Sequence, residues 1–154
     1  MTLYFEDLSA GQVFPLGQST VDETEMLAFA RRFDPQPFHV DEVAGAESPF
    51  GGVIASGWFT GSLFMRLYVD AVLADSSSQG SPGGDELRWL APVRGGDTLT
   101  GRLTVVETRS STKRVDRGTA IMRGELFRDA EPVFRMTFRA LFGRRDPAAI
   151  SERT

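Results

Sequence analysis

Ala55-Ser56-Gly57-Trp58-Phe59-Thr60-Gly61-Ser62-Leu63-Phe64-Met65-Arg66-Leu67-Tyr68-Val69-Asp70-Ala71-Val72-Leu73-Ala74 decides the architecture of this chain. Wound as a helix, it places Trp58, Phe59, Leu63, Phe64, Leu67, Tyr68, Val72 and Leu73 around most of its circumference. A helix apolar nearly all round is normally enclosed by other structure. At the usual rise, its roughly 20 residues span about 30 Å, enough to cross a small domain. Ser56, Thr60, Ser62, Arg66 and Asp70 make a membrane span improbable for the same stretch.

After this segment, residues 75–84 (Asp75-Ser76-Ser77-Ser78-Gln79-Gly80-Ser81-Pro82-Gly83-Gly84) read as a flexible surface loop. Everything beyond reads as strand: Leu87–Leu90, Thr98–Glu107, Thr119–Phe127 and Val133–Phe142. In the last of these Phe134, Met136, Phe138, Ala140 and Phe142 alternate with Arg135, Thr137 and Arg139, the pattern of a sheet with one packed face. Before the long helix, residues 4–18 read as an extended lead-in, with turns at Gly11, Pro15 and Gly17. Asp22 followed by Glu25 is a capping pattern for a helix carrying Met26, Leu27, Ala30 and Phe33. Pro35 and Pro37 stop that helix at Asp34, and residues 40–47 have room for one or two further turns. A buried helix followed by an antiparallel sheet makes an α+β domain. Pattern alone leaves open whether the sheet wraps the helix or the helix lies flat upon it.

With 154 residues, 41% apolar and 25% charged, the chain reads as one globular domain, residues 1–154. A net charge of −4 supplies no basic field for nucleic acid. Without cysteine there is no disulfide, thiolate metal site or cysteine nucleophile, and a single histidine leaves little basis for zinc. Met1-Thr2-Leu3-Tyr4-Phe5-Glu6-Asp7 has neither a basic region nor an apolar run, so no signal peptide is expected, and the expected location is the cytoplasm.

The one histidine stands in Phe33-Asp34-Pro35-Gln36-Pro37-Phe38-His39-Val40-Asp41. The two prolines stiffen the backbone between a carboxylate and an imidazole, the usual groups for moving protons. A stiff, irregular loop is expected here. The pair alone also reads as an ordinary Asp-Pro turn followed by a packed histidine.

The stretch Asp34 to His39 resembles the hydratase signature of the MaoC-like family, single-hotdog (R)-specific enoyl-CoA hydratases and acyl dehydratases. Two further blocks carry the resemblance: Ser48-Pro49-Phe50-Gly51-Gly52-Val53-Ile54-Ala55-Ser56-Gly57 and Leu87-Arg88-Trp89-Leu90-Ala91-Pro92-Val93-Arg94-Gly95-Gly96-Asp97-Thr98-Leu99. Gln36 stands where the family has asparagine, Arg32-Phe33 where small residues are common, and Ser56 where a histidine is frequent. The resemblance implies a hotdog fold, an antiparallel sheet wrapped around a long central helix. It also implies hydration of a trans-2-enoyl-CoA to a 3-hydroxyacyl-CoA, or the reverse, with coenzyme A entering only as part of the substrate and no other cofactor.

On that basis Asp34 orients and deprotonates water, and His39 donates a proton to the α-carbon. An apolar pocket is expected to raise the Asp34 pKa. The N-terminus of the long helix suits the thioester oxygen, with the Gly57 amide as donor and Ser56 adding a side-chain contact. Lys113 and Arg114, reaching a site in their own chain or across a subunit boundary, are the expected contacts for coenzyme A phosphates. The sheet edge left open by a single hotdog implies a homodimer or a larger homo-oligomer. A hotdog thioesterase or a non-catalytic acyl-thioester-binding protein is the alternative. Thioesterases of this fold usually carry their carboxylate on the central helix, where this chain has only Asp70.

Overall fold

The computed structural model describes residues 1–147. After a short helical turn at Phe5–Asp7, the chain runs through β1 (Val13–Thr20), α1 (Glu23–Phe33), α2 (Pro37–Val40), α3 (Glu42–Glu47) and α4 (Gly57–Tyr68). Helix α4 continues as a wider π-helical stretch, Val69–Leu73, before β2 (Gly83–Trp89), β3 (Thr98–Ser110), β4 (Arg117–Arg128) and β5 (Glu131–Gly143). The five strands form one antiparallel sheet in the order β1-β3-β4-β5-β2.

Helix α4 packs on one face of this sheet. Phe64, Phe134, Phe142, Leu99, Leu103, Met122 and Leu126 are buried together in the core between them. The approach is close because Gly124 of β4 has no side chain. A Cβ there would lie 2.1 Å from Cζ of Phe64. The alternation expected along β5 holds: Phe134, Phe138, Ala140 and Phe142 are buried, whereas Arg135 and Arg139 face outward into ion pairs with Glu125 and Asp85.

Several boundaries differ from the sequence reading. Strand β1 is a full edge strand, although Pro15 and Gly17 read as turns. Its register against β3 shifts between those two residues, a bulge that an edge strand tolerates and that uses the φ of +79° at Gly17. Helix α4 starts at Gly57, since the Ser56 hydroxyl accepts a bond from the Trp58 amide at 3.3 Å. It is not covered all round: Trp58 is 60% and Met65 46% exposed. Tract 75–84 is bonded along its length to the N-terminus and β5, through Leu3, Leu141 and Gly143, and Gly83 and Gly84 already belong to β2. Arg144 lies over the Phe5 ring with its side chain 10% exposed.

Candidate active site

Helix α1 ends where the two prolines require. Asp22 caps its start by accepting from the Glu25 amide at 2.9 Å, and Asp34 is its last capping residue. The turn that follows is not irregular. Pro37 opens the short helix α2, where a missing N–H costs nothing, and His39 sits in it. The Asp34-to-His39 spacing is therefore set by the end of α1 at Asp34 and the start of α2 after the extended residue Gln36.

The two side chains meet. Asp34 Oδ2 lies 3.3 Å from His39 Nε2, with the side chains 19% and 6% exposed. His39 Nδ1 lies 2.8 Å from the Ile54 carbonyl oxygen, which can only accept, so Nδ1 carries a hydrogen. Nε2 is then the nitrogen that gains and loses a proton, and it faces the carboxylate. The Phe38 ring packs edge-on against the imidazole at 4.6 Å.

Asp34 is held by three neighbours. Gln36 Nε2 donates to Oδ1 at 2.7 Å, and the fully buried Ser56 hydroxyl donates to Oδ2 at 2.8 Å. Burial pushes the carboxyl pKa up and is the largest single influence. The Gln36 and Ser56 hydrogen bonds, with the charge of His39, outweigh it and leave the pKa below its ordinary value. This corrects the expected rise: the apolar walls are real, but two donors reach the carboxylate through them. Ser56, expected to touch the substrate, spends its hydroxyl hydrogen on Asp34.

The pair opens into a cleft of about 460 Å³ lined also by Phe50, Gly57, Trp58, Thr60, Trp89 and Leu90. Gly57 is the first residue of α4, so its N–H has no acceptor within the helix. Its missing side chain serves Trp89. A Cβ would fall 2.3 Å from the indole, whose Nε1 donates to the Gly57 carbonyl at 2.7 Å. Trp89 therefore walls the helix N-terminus, a role the sequence reading missed although Arg88-Trp89-Leu90 stood within a quoted block. Arg94 was missed as well. Its guanidinium bonds the Phe50 carbonyl and so fixes the turn that carries Phe50 over the cleft.

Asp34, His39, Ser56 and Gly57 thus come together, and Lys113 and Arg114 do not. The latter occupy the β3–β4 turn, about 40 Å of strand away from the end of β3 nearest the cleft. Arg114 is already paired with Asp116 at 3.0 Å. No group of acidic or histidine side chains suited to a metal occurs among the described residues, and no helix of the described residues is long and apolar enough to cross a membrane.

A five-stranded antiparallel sheet carrying a long helix is a hotdog domain, here with a carboxylate–imidazole pair at the helix entry. The chain belongs to the MaoC-like domain family, whose model matches residues 9–123. It is 31% identical to the (R)-specific enoyl-CoA hydratase of Rhodospirillum rubrum over 134 residues, covering 83% of this chain and 88% of that protein. It is similar to a MaoC-like dehydratase of known structure from Rhodospirillum rubrum, with a TM-score of 0.85 and 40% identity over 94% of this chain and 99% of that one. Against Protein MaoC of Klebsiella aerogenes the identity is 33% over 102 residues, 66% of this chain, but the chain spans only 30% of that protein's length.

Proposed function

We propose that this protein adds water across the double bond of trans-2-enoyl-CoA thioesters, giving 3-hydroxyacyl-CoA, and catalyses the reverse dehydration. The observation that carries this reading is the 3.3 Å contact between the Asp34 carboxylate and His39 Nε2 inside an apolar cleft at the entry to α4. Asp34, kept ionised by Gln36 and Ser56, holds a water and takes its proton as the oxygen bonds to the β-carbon. The electron pair of the double bond moves towards the thioester oxygen, which the Gly57 amide stabilises at the positive end of α4. His39 then delivers the Nε2 proton to the α-carbon. The proton held by Asp34 passes back across the short contact to Nε2, and the net change is one water added.

The low Asp34 pKa makes this carboxylate a weaker base than a desolvated one, so its contribution lies as much in aiming the water as in basicity. The thioesterase alternative has less support. Asp70, the carboxylate on the central helix, is half-exposed, paired with Arg66 at 2.8 Å, and about 20 Å along the axis from the helix start. A homodimer completes the reading. Trp58, Trp89 and Leu90 are exposed apolar residues that line the cleft, and Leu87 is exposed on the edge strand β2, a surface suited to a second copy. No further cofactor is required by these steps, and the reaction suits a cytoplasmic enzyme.

The test is a paired assay with crotonyl-CoA, following loss of enoyl absorbance and release of free thiol. Loss of absorbance without thiol, reduced at least about 100-fold by Asp34→Asn and by His39→Ala, is the expected result. Thiol release would point to the thioesterase, and silence in both channels would remove the catalytic reading for this substrate.

A further inference from the structure

One hydroxyl in the catalytic cleft takes no part in the water-addition steps. Thr60 lines the cleft with Asp34, His39 and Gly57, and it is 2% exposed. A serine or threonine inside a helix commonly returns its hydroxyl hydrogen to the carbonyl four residues back. Ser62, exposed on the same helix, does so, donating to the Trp58 carbonyl at 2.8 Å. Thr60 does not. Its amide donates to the Ser56 carbonyl at 3.1 Å, but its hydroxyl makes no hydrogen bond among the described residues. Nor is that oxygen sealed in the core. Among the described residues, the fully enclosed side-chain atoms without a partner are the Tyr68 hydroxyl and Arg144 Nε, so the Thr60 oxygen holds part of the little surface this residue keeps. That surface faces the cleft. A hydroxyl so nearly buried is costly unless something pairs with it.

The helix sets where this hydroxyl stands relative to the acid. Ser56 and Thr60 are four residues apart, so their Cβ atoms lie about 5–6 Å from each other on one face, and the Thr60 side chain leans back towards the Ser56 turn. Ser56 in turn holds Asp34 Oδ2 at 2.8 Å. An ionised carboxylate offers about four lone-pair positions. Gln36, Ser56 and the facing His39 Nε2 take up three of them, which leaves one for a water. A water held by a single anchor pivots about it. A weak base that acts largely by aiming its water needs a second contact to fix the oxygen.

We propose, resting on the hydratase reading above, that Thr60 is a further catalytic residue: the reacting water donates one hydrogen to the Asp34 carboxylate and the other to the Thr60 hydroxyl oxygen. The proton on the Asp34 side is the one lost as the oxygen bonds to the β-carbon. The hydrogen on the Thr60 side stays on that oxygen and becomes the 3-hydroxyl hydrogen of the product. Thr60 therefore neither gains nor loses a proton. In the reverse direction the same contact holds the 3-hydroxyl group while it leaves.

Binding and turnover are measured separately, so that the two readings can fail independently. Titration calorimetry compares S-(3-hydroxybutyl)-CoA with S-butyl-CoA, thioethers that lack the carbonyl and so neither hydrate nor eliminate. The hydroxyl-bearing ligand binds more tightly. Thr60→Val, which exchanges the hydroxyl for a methyl group of similar size, cuts that advantage by about three- to tenfold, the worth of one hydrogen bond, and Thr60→Ser keeps it. With crotonyl-CoA, Thr60→Val lowers kcat by about tenfold or more at little-changed KM, because the enoyl ester carries no oxygen for Thr60 to hold. The pH limbs stay in place, since threonine does not titrate, and Thr60→Ser restores most of the rate. Equal binding of the two thioethers, an advantage that survives Thr60→Val, or an unchanged kcat overturns the proposal. If the unaltered protein turns over no crotonyl-CoA but the hydroxyl advantage falls in Thr60→Val, the hydratase reading falls and the Thr60 contact stands.

Discussion

At the scale of single residues, the site depends on how Asp34 is held. Its folded pKa lies below the ordinary value, because donors from Gln36 and Ser56 outweigh burial. The ionised group therefore adds stability above the unfolded-state pKa, and that stability is lost as pH falls through the folded value. Ser56→Ala or Gln36→Leu removes one bond to a charged acceptor, each worth about 1.5–3 kcal/mol. The Asp34 midpoint should move upward in both variants, and the acid limb of kcat/KM should follow it. A carbon-13 titration of the carboxyl group checks this, and a midpoint unmoved in both would show that the bonds do not tune it. Gly57→Ala is a second case. Its Cβ meets the indole 2.3 Å away, so about 1–3 kcal/mol of overpacking is expected in urea unfolding. Trp89→Leu in the same chain should restore most of it. The meeting of Asp34 and His39 was legible in the sequence because two prolines and six residues contain it. The Gln36 and Ser56 bonds were not, since one spans 22 positions and both depend on which way a side chain turns.

Among the elements, two glycines on facing partners make opposite predictions. Gly61 lies inside α4 with room for a methyl group, so Gly61→Ala should stabilise by about 0.4–1 kcal/mol through lower unfolded-state entropy. Gly124 lies in β4 under the same helix, where a Cβ would come within 2.1 Å of Phe64. Gly124→Ala should therefore cost about 1–3 kcal/mol by forcing α4 and β4 apart. Urea midpoints of the two variants should move in opposite directions, and a shared direction would show that the helix-to-sheet spacing is not set by these contacts. The elements themselves were legible wherever periodicity was strong, in α1, α4 and β3 to β5. Strand β1 was hidden because Pro15 and Gly17 are punctuation in any local reading, and only the edge position makes them compatible with a strand. The turn of helix at α2 was hidden for a related reason, as Pro37 stops one helix and starts another.

For the whole molecule, the deciding feature is what one copy leaves uncovered. Among the described residues the edge of β2 has no neighbour in the sheet, and Leu87 at 41%, Trp89 at 44% and Trp58 at 60% exposure stand beside it. The bulge of β2 lies between Gly84 and Glu86, and the edge beyond it, with large apolar side chains and no proline, invites pairing with another strand. Trp58 and Trp89 also line the cleft, so a second copy placed here would roof it. Sedimentation equilibrium should accordingly report a dimer at micromolar concentration. Leu87→Glu would place a charge in that seam, once from each copy, and should shift the protein towards monomer. Its crotonyl-CoA turnover should fall with the dimer fraction and recover as protein concentration rises, because the catalytic pair in each copy is untouched. Turnover that stays constant across the dissociation would mean that one copy suffices to close the site.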